Sequence, residues 1–249
     1  GAPPDILNRA GQDWGICGFS PEGLKRNGYR AFIEMLRANM ANAGGLRIDH
    51  VMGLRRLWLI PRGAKPSEGA YLNYPLEDLL RLLALESVRN QAVILGEDLG
   101  TVPDGLREAL AAKNVLGMRV LPFEQASPGK FTPIMDWPDD ALATTGTHDL
   151  APLAGWLQSR DIDWSHRLQL IDAATELHWR PERHKASACL RHTLEINYGT
   201  QKDNDAVIAA AIRYVGHTRA PLVLIPLEAL LGSVDPPNIQ RTTRRPSHS

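Results

Sequence analysis

The sequence has little of what marks several common classes of protein. Only two cysteines, Cys17 and Cys189, occur in 249 residues, and their separation matches no zinc or redox motif. We therefore expect free thiols and a cytoplasmic protein. Acidic and basic residues number 28 each, so no net charge attracts the chain to nucleic acid or to a membrane. No apolar run approaches membrane-spanning length, and the first residues do not have the pattern of a signal peptide.

Motifs for cofactors and metals are absent as well. No glycine-rich segment has the spacing of a phosphate-binding loop, and no cofactor is implied. The histidines His166, His178, His184 and His192 form no HExxH or other paired-ligand pattern. We interpret them as surface residues of a helical insertion, and no metal is expected. The apolar fraction of 43% suffices for a sizeable core, in one large or two small domains.

Three stretches each contain a short apolar run that leads to an acidic residue. They are Gly45–Val51 (GLRIDHV) with Asp49, Val93–Gly100 (VILGEDLG) with Glu97, and Ala143–Asp149 (ATTGTHD) with Asp149. The stretches are typical of short strands. In a (β/α)8 barrel the catalytic residues gather at the C-terminal ends of the strands, and glycosidases place two carboxylates across the scissile bond. The pattern therefore favours glycoside chemistry on a barrel.

The first stretch also carries a cation. Side chains alternate along a strand, so Arg47 and Asp49 share one face. Two charges on an apolar strand are costly to bury unless they are paired or used. Arg47 is expected to keep Asp49 ionised, as a candidate nucleophile or metal ligand. A structural ion pair is the alternative, and this stretch alone does not decide between them.

Longer segments around the three acids resemble the 4-alpha-glucanotransferase, or amylomaltase, family, which is related to the α-amylases. These segments are Gly45–Trp58 (GLRIDHVMGLRRLW), Gly96–Pro103 (GEDLGTVP) and Thr147–Leu150 (THDL), with further matches at Gly1–Asp5, Gly11–Gly15, Gly69–Tyr71 and Leu83–Ser87. The likeness is dense from residue 1 to about residue 157 and weaker beyond. The chain is similar to the C-terminal half of that family's catalytic barrel.

The resemblance implies a retaining double displacement on α-1,4-glucans, with maltooligosaccharides as donor and acceptor. Asp49 would be the nucleophile, Glu97 the acid–base and Asp149 a third carboxylate. The implied substrate-binding residues are Arg47, His148, Trp14 and Asp5. The motifs do not decide whether a glucan or water attacks the intermediate. An inactive glucan-binding fragment and a retaining α-glucan hydrolase are therefore alternatives.

Two of these assignments also have physical arguments. Glu97 follows Leu95 and Gly96 in an apolar strand, so desolvation is expected to keep a proton available there. Trp14 lies between glycines, where an aromatic ring is either a core plug or a platform for a sugar ring. Packing in the core is the commoner case for such a residue, but the resemblance favours a platform for a sugar ring.

The expected fold class is α/β, of the (β/α)8 TIM-barrel type. Strands are predicted at Leu46–Val51, Val93–Glu97, Met118–Phe123, Ala141–His148 and Leu222–Pro226, and helices at Tyr29–Asn42, Pro75–Arg89, Pro103–Lys113, Leu150–Arg160 and from 204 to about 215. Residues 1–23, 65–74 and 125–140 are predicted as loops. About five strands give a partial barrel over residues 1–235, with a helical insertion near 161–203. Residues 236–249 are expected to form a divergent, disordered tail.

Overall fold

The computed structural model describes residues 1–4, 11–127 and 129–238. The chain divides into two units, Gly1–Met118 and Arg119–Ser249. Asp5 and most of the predicted tail lie outside the described residues. Within the described ranges, no helix is long and apolar enough to cross a membrane.

The first unit is organised around two parallel strands. Its elements are α1 (Pro21–Arg26), α2 (Arg30–Met40), β1 (Gly45–Ile48), β2 (Arg56–Leu59), β3 (Ala70–Asn73), α3 (Leu76–Asn90), β4 (Val93–Gly96) and α4 (Leu106–Ala111). Strand β1 pairs with β4 from Gly45 opposite Val93 to Ile48 opposite Gly96. Beyond β4, a parallel bridge joins Leu95 to Leu116. The carboxyl ends of β1 and β4 therefore lie side by side.

Helices α2 and α3 cover this pair of strands with apolar faces. Phe32, Leu36 and Met40 recur at helical spacing on α2 and are buried. Leu80 and Leu83 of α3 have no exposed surface and belong to the same core. These contacts confirm the helices predicted at Tyr29–Asn42 and Pro75–Arg89, with ends that differ by one or two residues.

An antiparallel hairpin replaces part of a predicted loop. Strand β3 pairs with β2, with Trp58 opposite Tyr71. The two rings meet edge to face, with centroids 5.0 Å apart. The prediction of a loop over 65–74 is therefore wrong at Ala70–Asn73. All four residues of β3 are exposed, so the segment has no alternation of buried and polar positions from which a strand could be predicted.

The second unit contains a three-stranded sheet and most of the helices. Its elements are β6 (Gln125–Ser127), β7 (Lys130–Phe131), β8 (Ala141–Thr144), α5 (Leu153–Leu157), α6 (Arg160–Arg167), α7 (Ala173–Tyr198), α8 (Asn204–Gly216), β9 (Leu222–Leu224) and α9 (Leu227–Leu230), and β5 (Gly117–Val120) runs across the boundary between the units. The order in the sheet is β5-β8-β9. Strand β8 is buried throughout and runs parallel to β9.

All five predicted strands are present, but each is shorter than predicted. Strands β1, β4 and β8 end at Ile48, Gly96 and Thr144, before the acids that were placed on them. Strand β5 ends at Val120 because Leu121–Phe123 is a turn of 3-10 helix that contains Pro122, which has no backbone N–H to donate. The acids consequently lie in the turns that follow the strands.

Three further predictions need correction. Helix α4 begins at Leu106 rather than at Pro103, because Gly105 precedes it with a φ of 75°. Helix α1 and the hairpin of β6 and β7 lie in segments predicted as loops. The α/β class with parallel strands is confirmed. Among the described residues, however, the strands form separate sheets of two or three strands, and none of these sheets closes on itself.

Candidate active site

The turn after β1 holds the first pair of predicted site residues. The side chain of Asp49 is 64% exposed, and its Oδ1 lies 2.6 Å from Nη2 of Arg47, which is 30% exposed. The predicted ion pair is present, but the pair is not buried, so the expected burial cost does not apply. An exposed ion pair contributes only about 0–1 kcal/mol to stability. A contribution to stability is therefore a weak explanation for the presence of Arg47 and Asp49 at these positions.

Glu97 follows β4 and faces the same turn. Its backbone N–H donates to the Ile48 carbonyl at 2.9 Å, and its carbonyl accepts from the Val51 N–H at 2.9 Å. Its carboxylate accepts the His50 N–H at 2.8 Å through Oε2 and the Leu99 N–H at 2.7 Å through Oε1. The carboxylate of Glu97 is thus bonded to the backbone of the residue that follows Asp49.

The surroundings of Glu97 differ in part from the sequence prediction. The residue is 9% exposed, as an apolar strand end predicts. The apolar strand end did not predict the two backbone amides that donate to its carboxyl oxygens. Each carboxyl oxygen has a second lone pair, so either oxygen can carry a proton while it keeps its amide donor.

Gly96 lets the turn approach this closely. A Cβ built on Gly96 would lie 2.9 Å from Cγ2 of Val51, which is fully buried. Contacts that short do not occur in real structures, so any side chain at Gly96 would push the turn away from β4. The glycine before Glu97 is therefore required for the hydrogen bond between Glu97 and the turn.

His50 is a site residue that the sequence analysis missed. It adopts a left-handed backbone conformation with a φ of 50°, which directs its N–H towards Glu97. Its ring meets the Trp14 ring edge to face, with centroids 5.3 Å apart. Burial lowers the pKa of His50, although the charges of Glu97 and Asp49 act in the opposite direction. Its place directly after a strand-end acid was the available signal.

Trp14 lies at the edge of this group. It is 37% exposed and is not part of the buried core. Its Nε1 donates to Oε1 of Gln12 at 2.9 Å, and the Asp13 carboxylate accepts the Gly15 N–H at 2.9 Å. Local hydrogen bonds therefore hold the glycine-flanked loop that presents the ring. The role of the ring as a sugar platform stays a prediction.

His148 and Asp149 belong to the second unit. The chain leaves β8 at Thr144 and turns, with the Leu150 N–H donating to the Thr147 carbonyl at 3.2 Å. This turn brings Nε2 of His148 to 3.3 Å from Oδ2 of Asp149, and both side chains are about half exposed. The Asn238 amide donates to Oδ1 of Asp149 at 2.9 Å. Adjacent residues of a regular strand point to opposite faces, so the turn is what places these two side chains side by side.

The remaining assignments concern Asp5 and metals. Asp5 lies outside the described residues. Within the part of the chain that the structure describes, no group of three or more histidine, cysteine, aspartate or glutamate residues is arranged to hold a metal ion.

Comparison with known proteins identifies the family. A family model described as 4-alpha-glucanotransferase matches residues 1–247. The chain belongs to the 4-alpha-glucanotransferase family. A family member from Haemophilus influenzae is 47% identical over 172 residues, which cover 69% of this chain and 24% of that protein. A member from Mycobacterium tuberculosis is 36% identical over 250 residues, with 98% of this chain and 34% of that protein covered. The chain spans between a quarter and about a third of the length of these 4-alpha-glucanotransferases.

Solved structures agree with this family. The amylomaltase from Corynebacterium glutamicum superposes with a TM-score of 0.77 at 32% identity, over 90% of this chain and 34% of that chain. An amylomaltase from Streptococcus agalactiae in complex with acarbose has a TM-score of 0.73 at 17% identity, over 96% and 44%. The second likeness concerns the fold alone. The resemblance that the motifs indicated is confirmed at the level of the 4-alpha-glucanotransferase family.

Proposed function

We propose that this protein takes part in 4-alpha-glucanotransferase catalysis, in which a segment of α-1,4-glucan passes from one maltooligosaccharide to another. One observation carries the proposal. The Glu97 carboxylate accepts the amide N–H of His50, so one carboxylate is hydrogen-bonded to the backbone of the residue after the other, at the ends of neighbouring parallel strands. A retaining transglycosylase needs two carboxylates on opposite sides of the scissile bond and close to each other.

The first half-reaction divides the work between these two carboxylates. Asp49 attacks the anomeric carbon, the glycosidic C–O bond breaks, and Glu97 gives its proton to the departing oxygen. The product is a glycosyl ester of Asp49. In the second half, Glu97 removes the proton from an acceptor hydroxyl, which attacks the anomeric carbon and releases Asp49. The carboxyl groups are expected to lie about 5–5.5 Å apart when substrate is bound.

The environments suit these two roles. Asp49 is exposed and paired with Arg47, so its carboxylate is accessible to a substrate. Glu97 is 9% exposed and its amide donors fix the carboxyl plane. A carboxyl group that is fixed before substrate binds loses little entropy in the proton transfer.

The other site residues have weaker support. Arg47 would orient Asp49, and Trp14 would stack on an acceptor sugar ring. Asp149 would be the third carboxylate and His148 would contact a sugar hydroxyl, on the strength of the Thr147–Leu150 motif and of their mutual contact. For Asp5, the support is the sequence resemblance alone.

We further propose a partial barrel of (β/α)8 type over residues 1–235, with a helical insertion near 161–203 and a tail of divergent sequence over 236–249. Helices α6 and α7 fill most of the proposed insertion. Strand β9 exposes Leu222 by 40% and Leu224 by 52%, as an edge strand with an unfilled side does. The free thiols of Cys17 and Cys189 suit the proposed cytoplasmic location.

Incubation with maltotriose tests this function. We expect glucose and longer maltooligosaccharides from the full-length gene product, and little turnover from residues 1–249 expressed alone, because five strands do not close a barrel around the carboxylates. Glucose and maltose without longer products would indicate a hydrolase instead. Retardation on an amylose column without turnover would indicate a glucan-binding protein.

A further inference from the structure

Asp98 is a buried acid that the proposed reaction does not use. It follows Glu97 and is 1% exposed. Its Oδ2 accepts from Nε of Arg107 at 2.7 Å, and its carbonyl accepts from Nη2 of Arg107 at 3.1 Å. Its Oδ1 accepts the backbone N–H of Met118 at 2.8 Å. The carboxylate therefore fixes the backbone at the start of β5.

Met118 connects this carboxylate to Arg47. Its side chain is buried, with 5% exposure for the residue, and its Sδ lies 3.4 Å from Nε of Arg47. The same guanidinium binds Oδ1 of Asp49 through Nη2 at 2.6 Å. The contacts thus run without a break from Asp98 to Met118, Arg47 and Asp49.

The position of Arg47 matters because the Asp49 side chain is 64% exposed. Packing restricts an exposed side chain little, so the ion pair with Arg47 has the larger influence on its orientation. An arginine side chain also loses considerable rotamer entropy when it is fixed. A thioether is only a weak acceptor, but the buried Met118 side chain restricts where the guanidinium can lie. A fixed guanidinium in turn restricts the Asp49 carboxylate.

We propose that Asp98 is a positioning residue for Asp49 and acts through Met118 and Arg47. The proposal rests on the proposed function, because it assigns Asp49 as nucleophile. Asp98 itself touches no reacting atom. Its negative charge, compensated by Arg107, holds the Met118 backbone where the sulfur meets Arg47. Nucleophilic attack requires near-ideal geometry, and a displacement of 1 Å can cost about 10²-fold in rate.

The test uses two variants in the full-length gene product, Asp98→Asn and Met118→Leu. The first removes the charge with little change of shape. The second removes the sulfur with nearly the same volume, so it is expected to fold. The donor is a glycosyl fluoride, whose fluoride leaves with little help from an acid, so the rate of fluoride release in a single turnover reports on Asp49 rather than on Glu97.

Glu86→Gln is the matched control. Glu86 is also 1% exposed and is paired with two arginines, Arg37 at 2.8 Å and Arg89 at 2.9 Å. It lies on α3, within an ion-pair cluster that contains neither Arg107 nor Met118. This variant reproduces the loss of a buried, paired carboxylate, and hence the loss of stability, without disturbing Arg47.

We expect both test variants to lower the maximal single-turnover rate of fluoride release by about tenfold or more, with the half-saturating donor concentration changed by less than about twofold. The control is expected to lower Tm but to leave this rate per folded molecule unchanged. The proposal is wrong if Asp98→Asn, like the control, releases fluoride at the wild-type rate per folded molecule, whatever the rate of Met118→Leu. It is also wrong if Met118→Leu reacts like the wild type. Failure of the wild type to turn over the fluoride would instead contradict the proposed function.

Discussion

Replacement of Glu97 by glutamine tests both the hydrogen bonds and the chemistry of this residue. The carboxylate accepts one amide N–H on each oxygen, from His50 at 2.8 Å and from Leu99 at 2.7 Å. Glutamine keeps one acceptor oxygen and presents an NH2 group, which cannot accept, to the other amide. One hydrogen bond to a charged group is lost, at a cost of about 1.5–3 kcal/mol. We therefore expect Tm to fall by roughly 3–12 °C, since 1 kcal/mol lowers Tm by about 2–4 °C at this chain length.

The kinetic effect is expected to depend on the donor. Maltotriose has a poor leaving group that needs a proton, and a general acid contributes about 10²–10⁴-fold. A glycosyl fluoride leaves without that proton. Glu97→Gln is therefore expected to lose about 10²–10⁴-fold in the rate of donor cleavage on maltotriose and much less on the fluoride. Single-turnover rates of donor cleavage, which precedes the step in which Glu97 acts as a base, measure the ratio after correction for the folded fraction at the assay temperature.

Equal losses on the two donors would refute the assignment of Glu97 as general acid. Glu86→Gln serves as the control here too, since it also alters a buried glutamate, with 1% exposure for Glu86 and 9% for Glu97. It is expected to change Tm without changing the ratio of the two rates. An unchanged Tm for Glu97→Gln would contradict the hydrogen-bond argument separately from the chemistry.

Two other predictions concern the neighbours of Glu97. Trp14→Ala is expected to weaken acceptor use by about 1 kcal/mol, or about fivefold, with little effect on formation of the intermediate, and rates at varied acceptor concentration measure this. A lower Tm with unchanged kinetics would instead favour a purely structural ring. Burial lowers the pKa of His50 from its ordinary value of 6.5. Burial of the neutral ring therefore stabilises the folded state fully above pH 6.5. This contribution to the unfolding free energy is lost as the pH falls towards and through the lower folded-state pKa. His50→Asn, which tolerates the left-handed conformation, should flatten the decline in unfolding free energy from about pH 7 to about pH 5, and an unchanged slope would contradict the pKa direction.

The elements that position the acids could be predicted because their signals are local. Leu79, Leu80 and Leu83 on α3 recur at the spacing of an amphipathic helix. A helix was predicted from 204, and Asp203 caps α8 there, since its carboxylate accepts the Ala206 N–H at 2.8 Å. Short apolar runs before Asp49 and Glu97 marked β1 and β4. In these cases a single segment contains the information that its structure needs.

The contacts within the site could not be predicted, because they depend on non-local geometry. The bond from His50 to Glu97 spans 47 positions in the sequence and requires a left-handed histidine, which no rule of composition marks. The bond from Met118 to Asp98 spans 20 positions and depends on how the turn after β4 folds. Neither contact leaves a pattern in the residues next to it.

The identity of the nucleophile is the central claim, and covalent trapping tests it most directly. The wild-type gene product is incubated with a 5-fluoroglycosyl donor, which slows breakdown of the intermediate, and is then digested. We expect the sugar label on the peptide that contains Asp49 and no label in an Asp49→Asn variant. A label on any other peptide, or labelling that persists in Asp49→Asn, would contradict the account.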